Sequence, residues 1–276
     1  MAITAKQVNE LRKATGAGMM DCKKALVEAD GDMNMAVEIL RKKGQKVSAK
    51  RSDRDANEGS VFAHGNGSSA VLIELNCETD FVARNDDFVT LGKELAAVAF
   101  NEAPANLEAL LGLSLNGEVI SEVLTNAMGK IGEKITISKF VKESSEGVTT
   151  YIHTGGRVGV MVAFDGVGSV DVEEIGKDVA MQIAAMNPIA IDKDGVDASV
   201  VEQELKIGRE QALAEGKPEK IIDKIANGKL NKFYKENTLL NQDFVKDSSK
   251  TIKQYLKEKG PDLTVKAFHR VQLGAN

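Results

Sequence analysis

The sequence has no tryptophan, two cysteines and three histidines among 276 residues, and only 4% of it is aromatic. Each shortage closes off a class of protein. Cys22 and Cys77 cannot form a disulfide framework, and their separation matches no CxxC or zinc spacing, so they read as free, buried thiols. His64, His153 and His269 are too few and too scattered for a metal cluster. A net charge of −5 with few aromatics argues against nucleic acid as a partner. Such binding draws on a basic face and, for single strands, on aromatic stacking platforms. The longest apolar runs, such as Val158 to Phe164, fall far short of the ~20 residues that span a bilayer. Met1 to Arg12 alternates polar and apolar positions without a secretory apolar core. The expectation is a cytoplasmic protein with no membrane partner.

Catalytic signatures are missing as well. There is no GxxxxGK[ST] loop, since Gly216-Lys217 is followed by Pro218. There is no GxGxxG after a strand, no HExxH, no EF-hand loop and no nucleophile elbow. No cofactor is expected, and an enzyme would need a site assembled from distant positions.

What is present falls into blocks. Residues 1–53 predict three short helices. Thr4 caps the first, with Gln7 completing a capping box, and Val8 and Leu11 give its apolar spacing. Thr15-Gly16-Ala17-Gly18 breaks it. The second helix, Met19 to Ala29, aligns Met19, Cys22 and Leu26 on one face. Asp32 caps the third, which holds Met35, Ala36, Ile39 and Leu40 and ends in Arg41, Lys42 and Lys43 before Gly44. Lys46 to Gly59 has the composition of a linker.

The apolar period then becomes strand-like. Val61 to His64 and Ala70 to Asn76 flank a Gly-Asn-Gly-Ser-Ser turn. Helices over Asp86–Phe100 and Gly117–Ile131 follow, then a strand over Lys134–Val141. The order returns in Thr149–His153, Val158–Phe164 and a helix over Val170–Met186, closing with a helix over Thr251–Lys259 and a strand over Leu263–Leu273. Two details mark an internal repeat. His64 and His153 each precede a glycine turn and a strand, and Leu91-Gly92-Lys93-Glu94-Leu95-Ala96 echoes Ile175-Gly176-Lys177-Asp178-Val179-Ala180.

The copies differ in two places. From histidine to the glycine–lysine pair the first copy is five residues longer, all in the strand-to-helix loop Asn76–Asn85. An enlarged loop on a duplicated scaffold is where function concentrates. The second copy carries an insertion, about 196–233, read as an antiparallel helical hairpin turning at Glu215-Gly216-Lys217-Pro218. Val201, Leu205 and Ala212 on one arm would face Ile222, Ile225 and Phe233 on the other. An arm one helix thick has little core of its own and is expected to dock on a partner. The fold class is therefore α+β: a three-helix module over 1–53, a first α+β core repeat over 54–144, and a second over 145–276, each repeat ββααβ-like.

Two segments are specific. Leu11 to Leu26, LRKATGAGMMDCKKAL, resembles the N-terminal module of elongation factor Ts, and Asn76 to Asn85, NCETDFVARN, resembles that family's central signature. Weaker agreement comes from Gly129 to Glu133, His153 to Val160, and Gly228 to Val245, in family order. The resemblance implies a ubiquitin-associated-like N-terminal fold and a guanine-nucleotide exchange factor for the GTPase elongation factor Tu. It implies no substrate turnover by the chain itself. In the family the aspartate–phenylalanine pair inserts between helices of the GTPase and disturbs its Mg²⁺ site, a role carried to Asp80 and Phe81 with Thr79 and Val82 framing them. Met19, Met20, Lys23, Ile131, Gly132 and His153 match further partner contacts.

Without the family, Phe81 reads as a core residue and Asp80 as a helix cap. Met19-Met20 reads as core filler in at least one position, Lys23 as a solvated residue, His153 as a hydrogen-bonded turn residue, and Ile131-Gly132 as a helix end. An interaction adaptor without exchange activity is the alternative function, and the sequence leaves homo-oligomerisation open.

Overall fold

The computed structural model describes residues 3–275. The chain opens with three helices, α1 (Ala5–Thr15), α2 (Met19–Glu28) and α3 (Met33–Arg51). The capping box at Thr4 and Gln7 forms as expected, and Gly16 ends α1 in the left-handed conformation. Val8, Leu11, Cys22, Ala25, Leu26 and Ala36 bury one common cluster. Met19 is absent from it. Ala25 takes the place expected for Met19 on the buried face of α2, and Met19, Met20 and Met35 are all exposed.

The first α+β unit follows in the order β1 (Glu58–Gly65), β2 (Ser69–Cys77), α4 (Asp80–Ala83), α5 (Asp86–Glu102), α6 (Leu107–Leu111), β3 (Ser114–Leu115), β4 (Glu118–Val119), α7 (Ile120–Ile131) and β5 (Thr136–Ser144). The second runs β6 (Gly147–Ile152), β7 (Val158–Asp165), α8 (Val172–Met186), α9 (Ala198–Ala214), α10 (Glu219–Asn237), β8 (Asp243–Phe244), β9 (Asp247–Thr251), α11 (Ile252–Lys259) and β10 (Thr264–Gln272). Each unit builds an antiparallel three-stranded sheet with its second strand in the centre, β1-β2-β5 and β6-β7-β10. Each also places a two-stranded ribbon immediately before its last helix. The duplication is thus one of topology as well as sequence. It explains the glycine–lysine echo, because a β-carbon on Gly92 would lie 2.2 Å from the Phe62 ring and one on Gly176 2.2 Å from Thr149 Oγ1. Each glycine is where a helix presses on the first strand of its own sheet.

The sheets pack back to back. Side chains alternate along a strand. Accordingly Val71, Ile73 and Leu75 of β2 face the helices of the first unit, while Ala70 and Leu72 face the second sheet. In β7, Val160, Val162 and Phe164 face α8 and α11, while Met161 and Ala163 face the first sheet. Both central strands are therefore buried on both faces, which is why they read as near-continuous apolar runs. Full burial of side chains such as Phe88 and Phe164 contributes about 1.5–3 kcal/mol each.

Several expectations need correction. Gly44 does not end α3. It lies buried inside a 19-residue helix whose last turns fill residues 46–51 of the expected linker, and β1 begins at Glu58. The helix expected from Gly117 begins at Ile120, because Glu118-Val119 pairs with Ser114-Leu115 first. The short helix α6 and the ribbon β8–β9 carry too few residues to show a period. The hairpin α9–α10 forms as expected, with Ala212 and Ile222 buried. Its arms come close at Gly208, where a β-carbon would lie 3.0 Å from the Ala226 Cα, and Val201, Leu205, Ile225 and Phe233 are only half-buried.

Candidate functional site

The loop between β2 and α5 carries the short helix α4, which the loop between β7 and α8 of the second repeat lacks. β2 ends at Cys77, whose thiol donates to the Thr79 carbonyl at 3.1 Å. Burial, with the Glu133 carboxylate adding to it, pushes that thiol up to about 12. Thr79 is in extended geometry and caps the four-residue helix α4, its hydroxyl accepting the Val82 amide at 3.4 Å. A single turn has no stability of its own. Here it is held from below by Ala83, buried in the first core, and by half-buried Val82. From above it is held through Glu133 Oε2, which accepts the amides of Glu78 at 3.2 Å and Thr79 at 3.0 Å, and Glu133 Oε1, which accepts the Thr79 hydroxyl at 2.7 Å.

With Val82 and Ala83 turned inward, Phe81 is turned outward. It is 82% exposed, the most exposed large apolar side chain among the described residues. Asp80 beside it accepts Arg84 Nη2 at 2.9 Å. The reading of Phe81 as a core residue fails because this one turn gives Val82 and Ala83 to the core and leaves Phe81 in water.

Ile131 and Gly132 are brought to the same place. Gly132 ends α7 with φ of 84°, and the next residue is Glu133, the one that grips Thr79. Met19 (54% exposed), Met20 (62%) and Lys23 sit on the first turns of α2. The α1–α2 turn approaches the end of α7: the Lys130 side chain lies beside Gly16 and pairs with Asp87 at 2.8 Å. His153 is exposed on the β6–β7 turn, its Nδ1 3.0 Å from the Tyr151 hydroxyl. That turn is not remote. Gly156 accepts the Val61 amide at 2.8 Å, and Gly155, Gly156 and Arg157 line an apolar groove together with Asp80, Ala83 and Arg84.

Sequence reasoning missed Glu133, Glu78 and Arg51. Arg51 Nη1 lies 2.7 Å from both oxygens of Glu78, which also accepts the Lys134 amide at 2.7 Å. Burial would raise the Glu78 carboxyl, but the Lys134 amide and the Arg51 guanidinium outweigh it and hold it below the ordinary value. A carboxylate directly after a helix-ending glycine is the one local signal for Glu133. Its partners lie 54 and 55 residues away.

Among the described residues no group of histidine, cysteine, aspartate or glutamate could hold a metal, and no helix is long and apolar enough to cross a membrane.

Residues 78–275 match the family model described as Elongation factor TS. The chain belongs to the elongation factor Ts family. Elongation factor Ts of Amoebophilus asiaticus is 54% identical over the full length of both chains. That of Cytophaga hutchinsonii is 53% identical over 98% of this chain and 99% of its own. That of Christiangramia forsetii is 49% identical over 99% of each. Family membership carries a role in translation elongation and agrees with the α+β architecture.

Proposed function

We propose that the chain is a guanine-nucleotide exchange factor for elongation factor Tu. It binds the GDP-bound GTPase, disturbs the Mg²⁺ and phosphate site, and stays bound until GTP enters. The observation that supports this most is Phe81, a large apolar side chain held almost fully in water on an anchored turn. Burying such a side chain gains about 1.5–3 kcal/mol, realised only in a partner. Asp80 adds a charge that competes for the partner's polar groups, and Thr79 and Val82 fix the pair in place.

The target of such a wedge is sensitive. Mg²⁺ requires near-ideal octahedral geometry, and a P-loop GTPase shares it between a loop hydroxyl, a carboxylate and phosphate oxygens. A displacement of about an ångström weakens the whole site. The coupling is reciprocal: whatever factor this chain takes from GDP affinity, GDP takes from the affinity of the chain. No bond is made or broken, so the chain needs no catalytic residue and no cofactor.

The three-helix module over 1–53, with Met19, Met20 and Lys23 exposed, docks on the nucleotide-binding domain. The first repeat carries the wedge, with Ile131 and Gly132 alongside. The second repeat, through His153 and the arm over 196–233, reaches the rest of the partner. The place of action is the cytoplasm.

The test is release of fluorescent GDP from elongation factor Tu. Adding this protein should accelerate release strongly. No acceleration at saturating protein would remove the reading.

A further inference from the structure

Phe81 makes too little contact with its own protein to position itself. Its direction is set by the backbone of α4, which is held by buried Ala83, by half-buried Val82 and by the Glu133 carboxylate. Three hydrogen bonds from two consecutive residues, Glu78 and Thr79, converge on one carboxylate, at 3.2, 3.0 and 2.7 Å. The Thr79 hydroxyl donates to Glu133 and so turns a lone pair toward the Val82 amide that it caps. The carboxylate thus both pins the peptide and orients the cap.

The neighbouring residues complete the arrangement. Glu78 binds Arg51 and the Lys134 amide, and Lys134 Nζ donates to the carbonyls of Ser52 at 2.6 Å and Arg54 at 2.9 Å. Residues 78–79, 133–134 and 51–54 are therefore cross-linked where the end of α3, the wedge turn and the end of α7 meet.

We infer that Glu133 is a positioning residue for nucleotide exchange, holding the Thr79–Val82 turn so that Phe81 is presented already in its working orientation. This rests on the exchange reading above. A preorganised wedge spends none of its binding energy on ordering itself.

The experiment measures GDP release from elongation factor Tu against factor concentration for the full-length protein, and separates the rate at saturation from the half-saturating concentration. Glu133→Ala should lower the saturating rate about tenfold or more and move the half-saturating concentration less than about threefold, because loss of orientation at one contact acts on the step and not on the rest of the surface. Glu133→Gln should recover most of the rate, its amide oxygen accepting from the two backbone amides and its NH₂ donating to Thr79. Glu133→Asp retains the charge and falls between the two.

Amide hydrogen exchange at Thr79 and Val82 in the free protein gives a readout independent of the GTPase: faster in the alanine variant, near wild type in the glutamine variant. A wild-type saturating rate in both the alanine and aspartate variants overturns the inference, even where the amides exchange faster, because the clamp would then serve stability alone. Should the wild-type chain itself fail to accelerate GDP release, the exchange reading fails, and positioning for exchange falls with it. The amide measurement then still separates a held turn from a loose one.

Discussion

Gly44 and Gly129 meet backbone to backbone where α3 crosses α7: a β-carbon built on Gly129 would lie 2.7 Å from the Gly44 Cα. The helical module is seated on the first repeat through this contact, flanked by the Arg41–Glu118 pair at 3.2 Å. Gly129→Ala should therefore destabilise the protein by about 1–3 kcal/mol, the range for overpacking a tight contact. Chemical denaturation would measure it. A change below about 0.5 kcal/mol would mean that the helices slide apart without strain.

Phe81→Ala separates stability from function. The side chain is 82% exposed, so its removal should leave unfolding free energy within about 0.5 kcal/mol of wild type. On the proposed reading the same variant loses most of its GDP-release activity. A stable variant that exchanges at the wild-type rate would take the wedge role away from Phe81.

Arg51→Ala opens the other side of the clamp. Hydrogen bonds to charged groups contribute about 1.5–3 kcal/mol, and Arg51 and Glu78 are mostly buried, so a loss of about 1–3 kcal/mol is expected. Acid should reveal the same pair. The folded-state Glu78 carboxyl is held below its ordinary 4.5, so its stabilisation is present above that pH and is lost as pH falls through the lower folded value. Denaturation curves between pH 6 and 3 should be shallower in Arg51→Ala than in wild type, and parallel curves would exclude Arg51 as a cause.

Alkali should act through Cys77. Its thiol is raised from 9.0 to about 12, so the folded state keeps a proton that the unfolded state gives up. Stability should fall as pH rises from 9 toward 12, by at most about 1.4 kcal/mol per pH unit for one proton. Cys77→Ala should flatten that limb. At pH 8 the buried thiol should resist alkylation until the protein is unfolded; rapid labelling of the folded protein would contradict its placement.

Local signals carried much of this fold. Thr4 and Gln7 lie three residues apart and form the box that their spacing predicts. The near-continuous apolar runs of β2 and β7 reflect burial on two faces. Gly44 misled because a glycine after three basic residues looks like a helix end, while the reason for it, Gly129, stands 85 positions later. Met19 misled for a related cause: it shares the helical stripe of Cys22 and Leu26, but the three-helix core closes on Ala25 instead. Phe81 could be read as exposed only through the family resemblance, because nothing in its neighbours distinguishes a wedge from a core residue. Glu133 was missed because a carboxylate's role depends on which amides approach it, and those belong to the loop between β2 and α4, 54 and 55 residues earlier.

The arm α9–α10 closes at its root. Ala190 pairs with Thr238, Ile189 donates to Asn237 at 2.9 Å, and Leu239 donates to Ala190 at 2.9 Å. The polypeptide leaves the body and re-enters it at adjacent points, so the two helices hang from a ring already sealed by backbone bonds. Whole turns could be added to or trimmed from the far end in matched pairs without shifting any strand of either sheet. Its reach is a dimension that evolution, or an engineer, can set independently of everything beneath it.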